Sequence, residues 1–492
     1  MRLALIFNPF AYKVFEENIR VVQKYFGLFP PLSLAWVAAI AEQAGHEVII
    51  IDARTLKLNK EDVLARLKEF RPDIMGFMMT TYMYRDTLEW ITFFKKELMV
   101  PVVVGGYNLR VYPRESVVPA EIDFGVVEQA YYTVPALLRE LEKGRHFEQV
   151  PGLLYKKDGK IEMTPHELEI DFDKFPNPAR HLLPNELYAE FPTQKKNFTV
   201  MITSLGCPFK CTFCEAGGTI YSPRSPLTVA KEIEECYSKF KIREIDIFDY
   251  EFTASRNRVL EICNLIREKK LLVEWACRSR VDTVDADLLK EMKDAGCRRI
   301  YFGIESGSQN ILDGFNKRIT LKKVKETMGV CRDLGIQTLG FFLVGVPGET
   351  KKTVRQTLRF AKELDCDYVQ FSKLLAKPLT SMWKALKQEK PGWDYWRDWI
   401  LGKEEDRELP RPWTELSNHQ INDLARYCYV RYHLRFSFIL KSILSLKSFT
   451  EFKRKLRAFL DMVFRQERAT KKDPKFLAYN ENNLQQLKRC NK

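Results

Sequence analysis

Three cysteines fall within eight residues of the stretch SLGCPFKCTFCEAGG, which runs from Ser204 to Gly218. Cys207, Cys211 and Cys214 present three soft thiolate ligands at C-x3-C-x2-C spacing, close enough in the chain to meet one inorganic centre. A structural zinc would want a fourth protein ligand at tetrahedral geometry. The nearest upstream histidine is His181, and the next downstream cysteine is Cys236, inside a run of helical period. A four-iron cluster needs no fourth protein ligand if its remaining iron takes a small molecule. Ligand counting therefore leaves zinc and cluster as alternatives, with the missing ligand favouring the cluster.

The elements around the triplet have a regular order. From Phe198 onward the apolar runs FTVMITS, EIDIFDY, VEWACRS, RIYFGIE, TLGFFLV and YVQFSKL are separated by charged segments of helical period. Six strand-helix repeats predict parallel strands with helical crossovers, hence a barrel or partial barrel. In such architectures the chemistry gathers at the carboxyl ends of the strands. The cysteine loop follows the first strand of the series, where that rule requires it.

A second alternation precedes this one. LALIF, EVIIID, IMGFMMT, VPVVVGG and IDFGVV read as buried strands, with LSLAWVAAIAEQAG and DTLEWITFFKKEL among the helices between them. The pattern predicts a doubly wound open sheet over residues 1–143, with a ligand crevice beyond the strand ends. Its candidate lining is Asn8, Thr80, Thr81, Gly105, Gly106 and Glu128. A connection over 144–195 contains a hairpin turning at Asp158-Gly159 and the proline-rich DFDKFPNPARHLLP. The barrel is expected over 196–386, followed by a mainly helical basic region over 387–492.

C-x3-C-x2-C with aromatic Phe213 directly before the third cysteine resembles the signature of the radical S-adenosylmethionine (SAM) enzymes. The resemblance covers about Phe198 to Leu386. It implies that Cys207, Cys211 and Cys214 hold a 4Fe-4S cluster and that the amino and carboxylate groups of SAM chelate the open iron. It further implies reductive cleavage of SAM to a 5'-deoxyadenosyl radical that abstracts hydrogen from substrate, with a low-potential donor such as ferredoxin or flavodoxin. The strand ends extend the likeness. Phe213, Asp249, Glu251 and Arg280 are implied SAM contacts, Glu305 and Ser306 stand where the ribose is usually met, and Gly345 and Pro347 stand along the adenine. The amino-terminal segment resembles that of the cobalamin-binding radical SAM class, through PPLSLAWVAAIAEQAGHEVIIID and VVVGGYN. That likeness implies cobalamin in the first crevice. It departs from the pattern in lacking D-x-H-x-x-G, so no histidine ligand to cobalt is implied, and in keeping only Glu128 of an acidic motif.

The chain has 492 residues, 45% of them apolar, and carries a net charge of +14. No opening run resembles a secretory leader and no apolar run of about 18 residues occurs; most of the eleven cysteines are scattered singly and form no disulfide framework, so a reducing, cytosolic setting is expected. The basic run FTEFKRKLRAFLDMVFRQERATKK suggests either a core-packed helix or peripheral contact with an anionic membrane, which would suit a lipid-like or other apolar substrate. No RNA-binding module accompanies the charge, so nucleic acid is not expected. GWDYWRDWI is either a lid on the barrel or an aromatic packing cluster. The expected function is methyl transfer from methylcobalamin to an unactivated carbon of a lipid-like or tetrapyrrole-like substrate. Cobalamin-independent ring formation is the alternative. A transfer-RNA methylthiotransferase is disfavoured because the amino-terminal region has no cysteines for a second cluster. A cluster-bearing sensor fits poorly with the strand-end residues.

Overall fold

The computed structural model describes residues 1–10, 27–127, 130–165, 171–190, 193, 195, 197–403, 410–444 and 460. Strands β1 (Arg2–Phe7), β2 (Gly27–Leu28), β3 (Glu47–Asp52), β4 (Ile74–Met78), β5 (Val102–Gly105) and β6 (Phe124–Val126) come first. All but β2 join one parallel sheet in the order β3-β1-β4-β5-β6. The period of two sorts β1 between two layers. Leu3, Leu5 and Phe7 pack with the helices Leu32–Gln43 and Ala130–Lys143. Ala4 and Ile6 pack with Lys60–Phe70 and Tyr84–Leu98 on the other face. This is the expected doubly wound sheet. The hairpin predicted at Asp158-Gly159 extends it, because β7 (Leu153–Lys157) pairs antiparallel with β6 and β8 (Lys160–Met163) with β7.

β9 (Ala189–Glu190) pairs with β2. Then come β10 (Phe198–Met201), β11 (Ser204–Cys207), β12 (Thr219–Pro223), β13 (Glu244–Ile247), β14 (Glu274–Ser279), β15 (Cys297–Glu305), β16 (Gln337–Val344) and β17 (Tyr368–Lys373). Six of these form a parallel sheet ordered β10-β13-β14-β15-β16-β17, the predicted partial barrel, while β11 and β12 make a separate antiparallel hairpin. The outward side chains of β15 and β16, such as Ile300, Phe302 and Phe342, are buried under the helices. Leu339, Phe341 and Leu343 of β16 point the other way and are only half-buried, so the barrel encloses accessible space instead of a packed interior.

Two devices hold the sheets together. Arg180 of the proline-rich connection pairs with Glu232 at 2.7 Å and donates to the Val200 carbonyl at 3.0 Å, and Arg224 binds the same carboxylate. All three side chains are buried, so losing one partner would strand a charge. The aromatic run near Trp393 supplies the other device. Trp383, Tyr395, Trp396 and Trp399 pack into the core of the first sheet, so the run is a packing cluster on the amino-terminal layer and not a lid. Tyr112 Oη donates to Asp394 at 2.7 Å, and Arg397 pairs with Glu115 at 2.6 Å.

Candidate functional site

Cys207 closes β11, and the other two cysteines sit in successive tight turns. Cys214 N–H donates to the Cys211 carbonyl at 3.2 Å, Gly217 N–H to the Cys214 carbonyl at 3.1 Å, and Gly218 N–H to Phe209 at 2.7 Å. Neighbours fasten the loop. Thr212 N–H donates to Phe315 O at 3.1 Å, Met382 N–H to Thr212 O at 3.1 Å, and Asn316 Nδ2 to Lys210 O at 2.9 Å. Burial pushes the Cys207 thiol up and the Cys214 thiol up to about 11, so a bound metal would be what ionises them. Among the described residues, no three His, Cys, Asp or Glu side chains converge as they would around one metal ion. A four-iron cluster takes each thiolate on a different iron and leaves one iron for a small-molecule ligand.

The predicted strand-end residues divide into two groups. Asp249 and Arg280 are committed to the protein. Asp249 is fully buried; Oδ1 accepts from Thr203 N–H at 2.6 Å, and Oδ2 from Thr203 Oγ1 at 2.6 Å and Ser204 Oγ at 2.7 Å. It thereby anchors the strand that leads into Cys207. Arg280 forks onto Asp282 with two bonds of 2.8 Å, donates to Lys317 O at 2.5 Å, and stacks on Phe209 at 4.1 Å. Its Nη1 lies 3.5 Å from Cys211 Sγ, so its charge faces the cysteine loop.

Glu251 and Glu305 are buried carboxylates that meet different partners. Glu251 Oε1 accepts from Thr253 N–H at 3.2 Å, Thr253 Oγ1 at 2.5 Å and Thr283 Oγ1 at 3.2 Å, and burial raises its pKa to about 7. A ligand ammonium would suit this group. Glu305 holds φ at 67° in the left-handed region, at a cost of about 1–2 kcal/mol for a residue with a Cβ. Its carboxylate pairs with Lys317 at 3.0 Å. Ser306 is tied to Thr357 Oγ1 at 3.2 Å, and Phe213 packs on Phe315 with ring centroids 4.8 Å apart. Gly345 lies in a buried turn that ends at Glu349, while Pro347 is exposed. Lys317 and Glu349 are contributions the sequence reading missed: Glu349 stood just past Pro347 in the same strand-end stretch, whereas nothing in the local pattern marked Lys317 as a counter-ion.

Inside the barrel, Arg278 forks onto Asp246 at 2.7 and 3.1 Å and lies against Phe248 at 3.8 Å and Tyr301 at 4.9 Å. Tyr301 Oη donates to Glu190, whose pKa burial raises to about 8. The accessible space thus has one apolar wall, through Leu339, Phe341 and Leu343, and one polar wall.

The amino-terminal strand ends gather Asn8, Thr80, Thr81, Gly105 and Gly106; Glu128 lies outside the described residues. Asn8 is buried and accepts from Thr87 Oγ1 at 3.2 Å, and Thr80 Oγ1 accepts from Met83 N–H at 3.3 Å. Thr81 Oγ1 is buried with no protein partner, an orphan that a ligand polar group would satisfy. At Gly106 φ is 111°, and a Cβ would come 2.9 Å from the Met79 carbonyl, so backbone alone lines that point. These features fit a large flat group approached by backbone. Tyr107, the next residue, donates to Pro378 O at 3.0 Å, and burial, with the Glu215 carboxylate nearby, raises its pKa. Met382, a little past Pro378 in the chain, donates its N–H to Thr212 O of the cysteine loop at 3.1 Å, so this end of the first sheet lies beside that loop.

Comparison with known proteins agrees with this arrangement. A model of the radical SAM superfamily matches residues 201–361, and one of the B12 binding domain matches residues 20–138. The chain is 32% identical over 442 residues to the uncharacterized methyltransferase PH0819 of Pyrococcus horikoshii, covering 88% of this chain and 94% of that protein. It is 28% identical over 385 residues to the anaerobic magnesium-protoporphyrin IX monomethyl ester cyclase of Rubrivivax gelatinosus, covering 75% and 68%. The cobalamin-dependent S-adenosylmethionine radical enzyme OxsB, solved with aqua-cobalamin and S-adenosylmethionine bound, superposes with a TM-score of 0.67 at 16% identity, covering 99% of this chain and 79% of OxsB.

Proposed function

We propose, on the premise that the chain belongs to the radical SAM enzymes that carry a B12-binding domain, that it is a cobalamin-dependent methyltransferase acting on an unactivated carbon. The observation that carries this reading is the Tyr107–Pro378 bond at 3.0 Å, which together with the Met382–Thr212 bond at 3.1 Å ties the backbone-lined strand ends of one sheet to the cysteine loop of the other. When bound, the cluster, SAM and cobalamin supply the one-electron chemistry and the transferable methyl group.

The chain's own residues divide the remaining work. Cys207, Cys211 and Cys214 would hold the cluster, while Asp249 and Arg280 fix the backbone and the field around them. Glu251 would receive the SAM ammonium, Glu305 and Ser306 would border the ribose, and Phe213 with the Gly345–Pro347 turn would border the adenine. Asn8, Thr80, Thr81, Gly105, Gly106 and Glu128 would surround cobalamin. The half-exposed Leu339, Phe341 and Leu343, set two strands along the same sheet from Arg278, favour a substrate with an apolar body and a polar end. A ferredoxin or flavodoxin would deliver the electron.

The test is anaerobic reconstitution with iron, sulfide and hydroxocobalamin. The expected result is stoichiometric corrinoid beside an intact cluster, and transfer of deuterated methyl from labelled SAM to an acceptor. The resemblance to the cyclase favours one other reading, ring formation. A protein with cluster and SAM cleavage but no corrinoid would replace methyl transfer by that reaction.

No helix among the described residues is long and apolar enough to cross a membrane. The helix Phe436–Leu444 exposes Phe436 at 80%, along with Ile439 and Leu440, which favours peripheral contact with a bilayer. The basic run that follows lies outside the described residues apart from Leu460. Co-flotation with anionic but not neutral vesicles is the expected result, and its absence would remove this part of the reading.

A further inference from the structure

The end of β16 is held from outside the barrel. Gly345 N–H donates to Glu349 Oε2 at 2.5 Å, and Val346 N–H to the same oxygen at 3.4 Å. The Gly345 carbonyl accepts from Trp413 Nε1 at 2.9 Å. At Gly345 φ is 75°, and a Cβ there would come 2.8 Å from the Ile421 side chain, so the helix Asn418–His433 rests directly on the turn. The same segment fastens the end of β17: Arg411 Nε donates to Leu374 O at 3.2 Å and Lys373 Nζ to Asn422 Oδ1 at 2.7 Å.

The Trp413 ring is half-buried against an apolar cluster whose centre, Ile311, Phe315, Val346 and Leu374, is buried. Phe213 and Met382 pack on the same cluster. Phe213 precedes Cys214, and Met382 N–H binds Thr212 O, so the cluster runs from the cysteine loop to the Gly345 turn. Two half-buried flat side chains, Phe213 and Trp413, stand at its edge. A purine, with two apolar faces, matches that edge.

We infer that Trp413 is a positioning residue for SAM: it fixes the Gly345–Glu349 turn and borders the apolar edge that seats the adenine, making residues 410–433 part of the SAM site. The inference rests on the function proposed above. Trp413→Phe keeps a ring and removes the indole N–H; Trp413→Ala removes both. The experiment measures cluster content by iron and visible absorbance, then the KM for SAM and the maximal rate of SAM cleavage, followed as deoxyadenosine released with dithionite as reductant. Trp413→Phe is expected to keep the cluster and raise KM about fivefold, the scale of one lost hydrogen bond, with the maximal rate altered by less than about twofold. Trp413→Ala is expected to raise KM further. An unchanged KM in Trp413→Phe, with or without a fall in cluster content, reduces Trp413 to a structural role and overturns the inference. A parent protein with neither cluster nor SAM cleavage overturns the underlying functional reading instead.

Discussion

The two strand-end crevices of this molecule are built from different materials. At the barrel end, ionisable side chains set the geometry: Asp249 holds the approach to Cys207, Arg280 faces Cys211, Lys317 answers Glu305, and Glu251 is buried with only hydroxyl and amide donors. At the first sheet, backbone and small residues set it: Gly105 and Gly106 leave a surface without side chains, and Thr81 adds one unsatisfied hydroxyl. A small charged cofactor is held by a few charges at fixed places, whereas a large flat one is held by area and shape. The first kind of site leaves a mark at each position. The second leaves little beyond glycines.

The largest effect should separate the crevices outright. Substituting Cys211 by alanine removes one cluster ligand and is expected to abolish the visible absorbance of the cluster and all SAM cleavage. Corrinoid binding should persist, because the first sheet has its own core. Retained SAM cleavage would refute the assignment of the triplet, and joint loss of both cofactors would show that the crevices are not separable.

The converse variant is Gly106→Val. A β-branched residue at φ 111° is strained by about 1–2 kcal/mol, and its Cβ meets the Met79 carbonyl. Corrinoid retention is expected to fall about tenfold while cluster content stays at the parent level. Undiminished corrinoid would place the cofactor away from this turn.

This contrast also explains what could be read from the chain. The six barrel strands were legible because their outward faces must be apolar while charged helices intervene, and RIYFGIE falls within the observed Cys297–Glu305. The cysteine loop was legible because metal chemistry limits both residue type and spacing. The β11–β12 hairpin was not, since its two short strands have no period that separates them from a loop. The sequence also marks Asp249 as a strand-end carboxylate without showing where its lone pairs point. Here they point at Thr203 and Ser204 and not outward. Trp413 lay in a stretch without regular pattern, and only the fold brings it to Gly345.

A third test concerns the charge-built crevice alone. Burial raises Glu251 from 4.5 to about 7 and Glu349 likewise, so the native state keeps protons that the unfolded chain has lost. Between about pH 4.5 and 7 the native state binds more protons, and stability falls as pH rises through that window. The cofactor-free protein should therefore melt at lower temperature at pH 7.5 than at pH 5.5, and Glu251→Gln should flatten the slope. A slope unaltered in that variant would mean that Glu251 does not hold its proton in the native state.

The smallest effect tests the clasp that keeps the two crevices facing each other. Tyr112 of the first sheet layer and Asp394 of the aromatic run share a bond of 2.7 Å in a buried setting, and Asp394 also accepts from Lys387 at 3.0 Å. Tyr112→Phe keeps the packing and removes one donor to a carboxylate, at a cost of about 1.5–3 kcal/mol. Lys387 still pairs with the carboxylate, so the chain should fold and load both cofactors. If the clasp matters for the tie at Tyr107, methyl transfer should fall more than SAM cleavage, because only the former needs both crevices in register. Equal losses in the two activities would assign the bond to stability alone, and would mean that the remaining contacts of Trp396 and Trp399 are enough to keep the crevices aligned.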